Sequence, residues 1–229
     1  MPSKLTDKIL QKNWHCMSAD EALGYFNVDS ERGLEESEVL ERQKKYGLND
    51  LPQARSIPDI RLFVSQFFSP LVYILVVAGG IAGLLKEYLD SGIIFFVVGI
   101  TVFLGFFQER KAQRALFALK KLVAEHAHVI RESNEREIDV RAIVPGDIII
   151  LEAGRKVASD ARIIESHNLE INEAILTGEW IPSGKSSKIF SETTPIIERE
   201  NMAYKGSIVE GGKGKAIVVS TGVYTEIWR

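Results

Sequence analysis

The sequence predicts a mixed architecture: a two-helix transmembrane hairpin with a helical stalk, a small N-terminal helical segment before it and an all-β domain after it. Three observations carry this. Two long uncharged runs lie between residues 67 and 107, an amphipathic helical pattern follows them directly, and from Ala127 short β-branched runs alternate with turn residues. The boundaries this implies are 1–58, 59–123 and 124–229. Hydrophobic residues make up 45% of the chain, an ordinary soluble average that hides strong segregation.

The N-terminal segment opens with the polar stretch MPSKLTDKILQKNWHC, which has no apolar core and so does not read as a cleavable signal peptide. Ser18-Ala-Asp-Glu21 is a capping-box pattern, in which the Ser side chain accepts from the third residue's N–H and the Glu reaches back. It predicts a short helix ending near Phe26. A second helix is expected over Glu36–Tyr46, stopped by Gly47. Asn49–Pro52 and Ser56–Pro58 read as an extended linker. His15 reads as a surface or partly packed histidine.

Phe67–Leu85 is nineteen residues without a charge. At 1.5 Å per residue it reaches roughly 28 Å, close to the hydrocarbon thickness of a bilayer. Lys86–Ser91 supplies charge and a turn, and Gly92–Phe107 is a second uncharged run. So short a loop makes the two helices antiparallel neighbours. Arg55 and Arg61 precede the runs, and Arg110, Lys111, Arg114, Lys120 and Lys121 follow them. The positive-inside rule therefore places both termini in the cytoplasm, in a multi-pass membrane protein. Gly79 and Gly83 form a GxxxG that suits close helix packing within the hairpin. Neither run holds an ionisable residue, so the hairpin is not expected to carry an ion-binding site. Ala112, Ala115, Leu116, Leu119, Leu122 and Val123 recur at helical spacing and extend the second helix into a stalk.

The β domain is read from AHVIR (127–131), REIDV (136–140), DIIIL (147–151), ARIIES (161–166), AYKGSI (203–208) and KAIVVST (215–221). Turns are expected at Ser133-Asn134, Pro145-Gly146, Gly154 and Gly211–Gly214. With no long helical pattern between them, these strands make an antiparallel barrel or sandwich. The net charge of −3 and the lack of a long basic run argue against nucleic acid as a partner. The single cysteine, Cys16, excludes an internal disulfide, and the scarcity of His and Cys argues against a structural zinc site. Gly178–Ser186 superficially resembles a phosphate-binding P-loop. It has five residues between its glycines where four are needed, and no helix pattern follows to aim N–H groups at a phosphate.

In order along the chain, several stretches together resemble the N-terminal part of a P-type cation-transporting ATPase. Trp14-His15 through Gly47–Pro52 is similar to that family's N-terminal segment, and Gln108-Glu109-Arg110 to the start of its stalk. Val144–Ile148, Gly154–Asp160, Leu176–Glu179, Asn201–Gly206 and Thr221–Glu226 are similar to motifs of its actuator domain, a distorted jelly roll. The N-terminal segment points to the branch that includes calcium, sodium/potassium and proton pumps.

The resemblance implies roles for a TGE loop. In the family, an aspartate of a DKTG motif on another domain is phosphorylated by ATP, and the actuator then brings its loop to the aspartyl phosphate. Carried over, Glu179 would orient or deprotonate the attacking water, Gly178 would let the backbone approach the phosphate, and Thr177 would fix the loop. ATP and Mg2+ would serve the complete pump, with no cofactor or metal site in these residues. The partners implied are the lipid bilayer and the phosphorylation, nucleotide-binding and transport-helix portions of a pump. No DKTG occurs here, so the chain alone is expected neither to hydrolyse ATP nor to carry an ion. The sequence also departs from the pattern: Trp180 stands where Ser is usual, Asn172 and Ala174 where Asp and Ser are, and Arg155, Ala158, Ser159 and Trp228 differ as well. The alternative consistent with these departures is a non-enzymatic, membrane-anchored β module that binds or regulates a transporter.

Overall fold

The computed structural model describes residues 12–50, 58–122 and 125–228, with the backbone alone at 117–122. The chain forms two compact units. One joins the N-terminal segment to Glu125–Arg229, and the other spans Ala54–Ala124. The linker expected at Asn49–Pro58 lies mostly outside the described residues, as does Val123 at the end of the expected stalk.

In the first unit a short 3-10 turn, Trp14–Cys16, precedes α1 (Ala19–Phe26) and α2 (Glu36–Tyr46). Both halves of the predicted capping box form: Glu21 N donates to Ser18 Oγ at 3.1 Å and Ser18 N to the Glu21 carboxylate at 2.7 Å. Gly47 ends α2 with a positive φ of 82°.

Seven strands follow: β1 (His126–Arg131), β2 (Asn134–Asp139), β3 (Ile148–Glu152), β4 (Asp160–Asn172), β5 (Ser183–Gly184), β6 (Met202–Ala203) and β7 (Ile208–Ser220). They form one antiparallel sheet in the order β2-β1-β3-β7-β4-β5, with β6 paired to β4. Buried β-branched residues such as Val129, Ile149, Ile163, Ile171 and Val218 fill one core. On the sheet's other side, Trp14, Phe26, Leu34 and Val39 of the N-terminal segment pack on Ile130, Val144, Ile148 and Ile217. The segment is thus an integral layer of this unit. His15 belongs to that layer and is only 2% exposed, which corrects its expected position at or near the surface.

Two strand expectations change. Tyr204–Ser207 is a turn, closed by Ser207 N donating to the Tyr204 carbonyl, so the expected 203–208 strand is split: Ala203 pairs in β6 and Ile208 opens β7. Gly211–Gly214, expected as a turn, lies inside β7. There β7 pairs with β4 through successive register shifts. A Cβ at Gly212 would collide with the Asn168 carbonyl, and one at Gly214 with the Glu165 carbonyl. These glycines therefore serve close backbone approach at bulges.

The second unit contains α3 (Asp59–Ser65), α4 (Pro70–Leu84) and α5 (Tyr88–Leu122). Among the described residues, α5 is the one helix that by itself is long and apolar enough to cross a membrane, over Tyr88–Leu116. The expected first arm is divided. Pro70 has no N–H to continue a helix and holds Ser69 extended (φ −67°, ψ 132°). The pieces Asp59–Phe68 and Pro70–Leu84 meet at a 64° bend and reach spanning length only together. The turn is shorter than expected, since α5 already begins at Tyr88. As expected, α5 then runs unbroken through the stalk region.

Gly79 and Gly83 both face α5. A Cβ at Gly79 would lie 3.1–3.3 Å from Ile94 and Phe95, and one at Gly83 would lie 3.3 Å from Ser91 Oγ. Ser91 Oγ donates to the Gly79 carbonyl at 2.8 Å. Further along, Val72, Val98 and Val102 close a small core.

Candidate functional site

The Thr177-Gly178-Glu179 stretch crowns the hairpin between β4 and β5. β4 delivers the chain through Ile171 and Asn172, and β5 takes it away, with Ile171 opposite Ser183 and Glu170 opposite Gly184. Between them is α6 (Ala174–Thr177), a single turn. The Glu173 carbonyl accepts from Leu176 N at 2.9 Å, Thr177 N at 3.1 Å and Thr177 Oγ1 at 3.2 Å. Gly178 ends the turn at φ 74°, ψ −2°, with its N–H on the Ala174 carbonyl. That left-handed backbone favours glycine. Glu179 N then donates to Thr177 Oγ1 at 3.1 Å. One hydroxyl thus ties the end of the turn to the residue carrying the carboxylate.

Asn172 holds the loop from below. Its Oδ1 accepts from Ala174 N at 3.0 Å, while Nδ2 donates to the Trp180 carbonyl at 3.2 Å and to Glu210 Oε1 at 2.7 Å. The loop's entry and exit are therefore clasped by one side chain, anchored in turn to β7. Beside it, Lys185 Nζ lies 2.8 Å from Glu173 Oε1, with side-chain exposures of 0% and 5%. Burial pushes the Glu173 carboxyl up and the Lys185 ammonium down, and each partner's charge opposes that shift. A second support comes from Gly206, which leaves room for Ile175 of α6; a Cβ there would lie 2.9 Å from Ile175 Cδ1.

Above this rigid base the tip is open. Gly178 and Glu179 are exposed, and Trp180 and Ile181 are each 81% exposed. The tip can present a carboxylate, backbone N–H groups and an indole to an object brought to it, and it forms no enclosed pocket. A cavity of about 300 Å3, lined by Trp14, His15, Arg199 and Tyr204 among others, includes none of these tip residues. The Gly178–Ser186 stretch runs through β5 without a helix after it, so it has no phosphate-cradling helix N-terminus. Among the described residues no three His, Cys, Asp or Glu side chains converge as a metal set would.

The other motif residues build scaffold. Asp147 pairs with Arg131 at 2.8 and 2.9 Å and accepts from Val144 N, fixing the Val144–Ile148 turn. Asp160 accepts from Lys205 N and Glu226 N. Asn49 is buried: its Nδ2 donates to the Val140 and Ala158 carbonyls, and its Oδ1 accepts from Gly222 N and Lys205 Nζ. Arg162 is wholly buried, its guanidinium donating to the Met17, Ile163 and Ser187 carbonyls, and burial lowers it to about 10. Sequence reasoning noted Asn172 only as a departure and gave Glu173 and Lys185 no role at the loop. Lys185, in a Ser-Gly-Lys-Ser-Ser run, carries no local sign of burial; the β4–β5 register buries it.

Comparison with known proteins covers most of the chain. Residues 121–229 match the P-type ATPase actuator domain, and residues 14–82 match the cation transporter/ATPase N-terminus. A probable cation-transporting ATPase F of Mycobacterium tuberculosis is 39% identical over 213 residues, covering 93% of this chain and 24% of the relative. A calcium-transporting ATPase of Bacillus subtilis is 38% identical over the same length and shares. A sodium/potassium exporting P-type ATPase 2 of Saccharomyces cerevisiae is 31% identical over 217 residues, 93% of this chain and 20% of the relative. The chain spans about a quarter of the length of the first two of these.

Proposed function

The chain belongs to the P-type cation-transporting ATPases, as their N-terminal, actuator-bearing portion, and from that premise we propose that its exposed loop serves breakdown of an aspartyl phosphate. The loop's build is the observation that carries this reading. Glu179 stands exposed on a tip whose backbone is fixed by Thr177 Oγ1, a left-handed Gly178 and the Asn172 clasp. A carboxylate so held suits a phosphate brought in on another domain. Glu179 accepts a proton from water as the water oxygen bonds to phosphorus, and the aspartate carboxylate leaves. Gly178 lets the backbone approach the phosphate closely, and Thr177 fixes the geometry. ATP and Mg2+ act in the complete pump, at sites these residues do not build.

On the same premise we propose that the second unit lies in a membrane. Its outward residues include Ile74, Leu84, Phe96 and Phe103, all more than half exposed, as suits lipid contact. The bent α3–α4 pair and α5 then form the two arms of a hairpin, with both termini cytoplasmic on the basic-flank argument. We divide the chain at 1–58, 59–123 and 124–229, with the last part as the jelly-roll actuator. α5 carries actuator rotation into the membrane as one rigid lever.

The test is decay of a radiolabelled aspartyl phosphate on a pump core lacking its actuator, with this chain added in the same vesicles. Acceleration that Glu179→Gln lowers by about 100-fold or more, the scale of a lost general base, is the expected result. Equal acceleration by Glu179→Gln removes the role assigned to that carboxylate.

A further inference from the structure

We infer that the buried Glu173–Lys185 ion pair is the positioning device that holds the Thr177–Glu179 tip in its presenting geometry. The inference rests on the reading of Glu179 above. Four observations meet at the pair. First, Glu173 is the root of the tip: its carbonyl accepts from Leu176 N, Thr177 N and the Thr177 hydroxyl, and that hydroxyl in turn accepts from Glu179 N. Any rotation of Glu173 is thereby passed to Glu179 through two hydrogen bonds. Second, the Glu173 side chain is clamped by Lys185 Nζ at 2.8 Å, both side chains being at most 5% exposed. Third, Lys185 is itself fixed, its N–H on the Leu169 carbonyl and its own carbonyl accepting from Ser166 Oγ at 2.6 Å. Fourth, neither Nζ nor Oε1 has another hydrogen-bond partner among the described residues, so each buried charge answers chiefly to the other.

A buried pair of this kind is weak as a source of stability, because desolvation offsets the attraction, and its better-attested use is to specify one arrangement. The aliphatic stem of a Lys→Met variant would fill the same space. What the charge adds is a fixed distance between Lys185, directly after β5, and Glu173, the residue that caps the turn after β4. Lys185 and Glu173 are thus positioning residues, with no contact to phosphate.

The test combines amide hydrogen exchange of the full chain with the phosphate-decay assay. In Lys185→Met, the amides of Leu176, Thr177, Gly178 and Glu179 should exchange about tenfold faster or more, as expected when a local unit opens separately from the fold. The amides of Ile163 and Val218 in the sheet should keep their protection, and phosphate decay should slow with them unaffected. Lys185→Arg should restore both readouts in large part. Glu173→Gln, which keeps the shape and a hydrogen-bond acceptor, serves if Lys185→Met does not fold, with the same loop-specific loss expected. Loop amides unchanged in either folded variant, while Glu179→Gln still blocks decay, would overturn the inference and leave the reading of Glu179 standing. Loosened loop amides with undiminished decay would support the positioning role and instead remove Glu179 from the reaction.

Discussion

Gly178 is where the smallest change at the tip should be read most cleanly. Its φ is 74°, and a Cβ there would meet nothing within 4 Å. Gly178→Ala therefore tests backbone conformation without a clash. A left-handed alanine costs roughly 1 kcal/mol, so the variant should fold with a small fall in melting temperature while phosphate decay slows. An unchanged melting temperature would mean that the turn has relaxed to another conformation. His15 gives a prediction of a different kind. Burial, aided by Arg199, lowers it below the ordinary 6.5, with Ser191 and Glu192 pulling the other way. The folded chain therefore takes up this proton at a lower pH than the unfolded chain, which does so near pH 6.5. Its contribution is full above that pH and is lost as pH falls toward the depressed value. Between about pH 7.5 and 5.5, wild type should lose more stability than His15→Gln, by at most about 1.4 kcal/mol per pH unit. Identical pH profiles in denaturant titrations would show that His15 takes up its proton without opening the fold.

At the scale of elements, what could be read from the sequence was what local chemistry decides. The capping box at Ser18 and Glu21, the stop at Gly47 and the span of α2 each depend on neighbours a few residues away. The long α5 followed from an uncharged run continued by residues at helical spacing. Misreadings arose where one residue type serves two purposes. Glycines mark turns, yet Gly212 and Gly214 permit bulges within β7, and only the facing carbonyls of β4 distinguish the two. Pro70 sits inside an apolar run that composition alone reads as one helix, and its missing N–H divides that run. At the loop, the Thr-Gly-Glu string was visible, whereas its support was not. Glu173, Lys185 and Glu210 come together only through strand register. The GxxxG reading can be checked directly in the helix pair. Gly79→Leu would force a side chain against Ile94 and Phe95, already 3.1–3.3 Å from a bare Cβ. Overpacking of this sort costs typically 1–3 kcal/mol. The variant should separate α4 from α5, measured as faster crosslinker access to a cysteine placed at Ser91. Unchanged access would mean the helices pack without need of the small residue.

Over the whole molecule, the division of labour follows from composition. One unit buries its apolar residues between a sheet and the N-terminal helical layer, and the other leaves Ile74, Leu84, Phe96 and Phe103 exposed on its helices. On the proposed reading, the second unit's exposed apolar residues face a hydrocarbon phase. The central claim is that this is a pump's actuator portion whose Glu179 breaks down the phosphoenzyme. The most direct measurement replaces the corresponding N-terminal portion of the Bacillus subtilis calcium-transporting ATPase, 38% identical, with residues 1–229. Phosphoenzyme lifetime is then followed in the chimera with and without Glu179→Gln. The account predicts a chimera that forms and breaks down its phosphoenzyme, and a Glu179→Gln version in which the phosphoenzyme forms but persists. A phosphoenzyme that decays equally fast in both would contradict it.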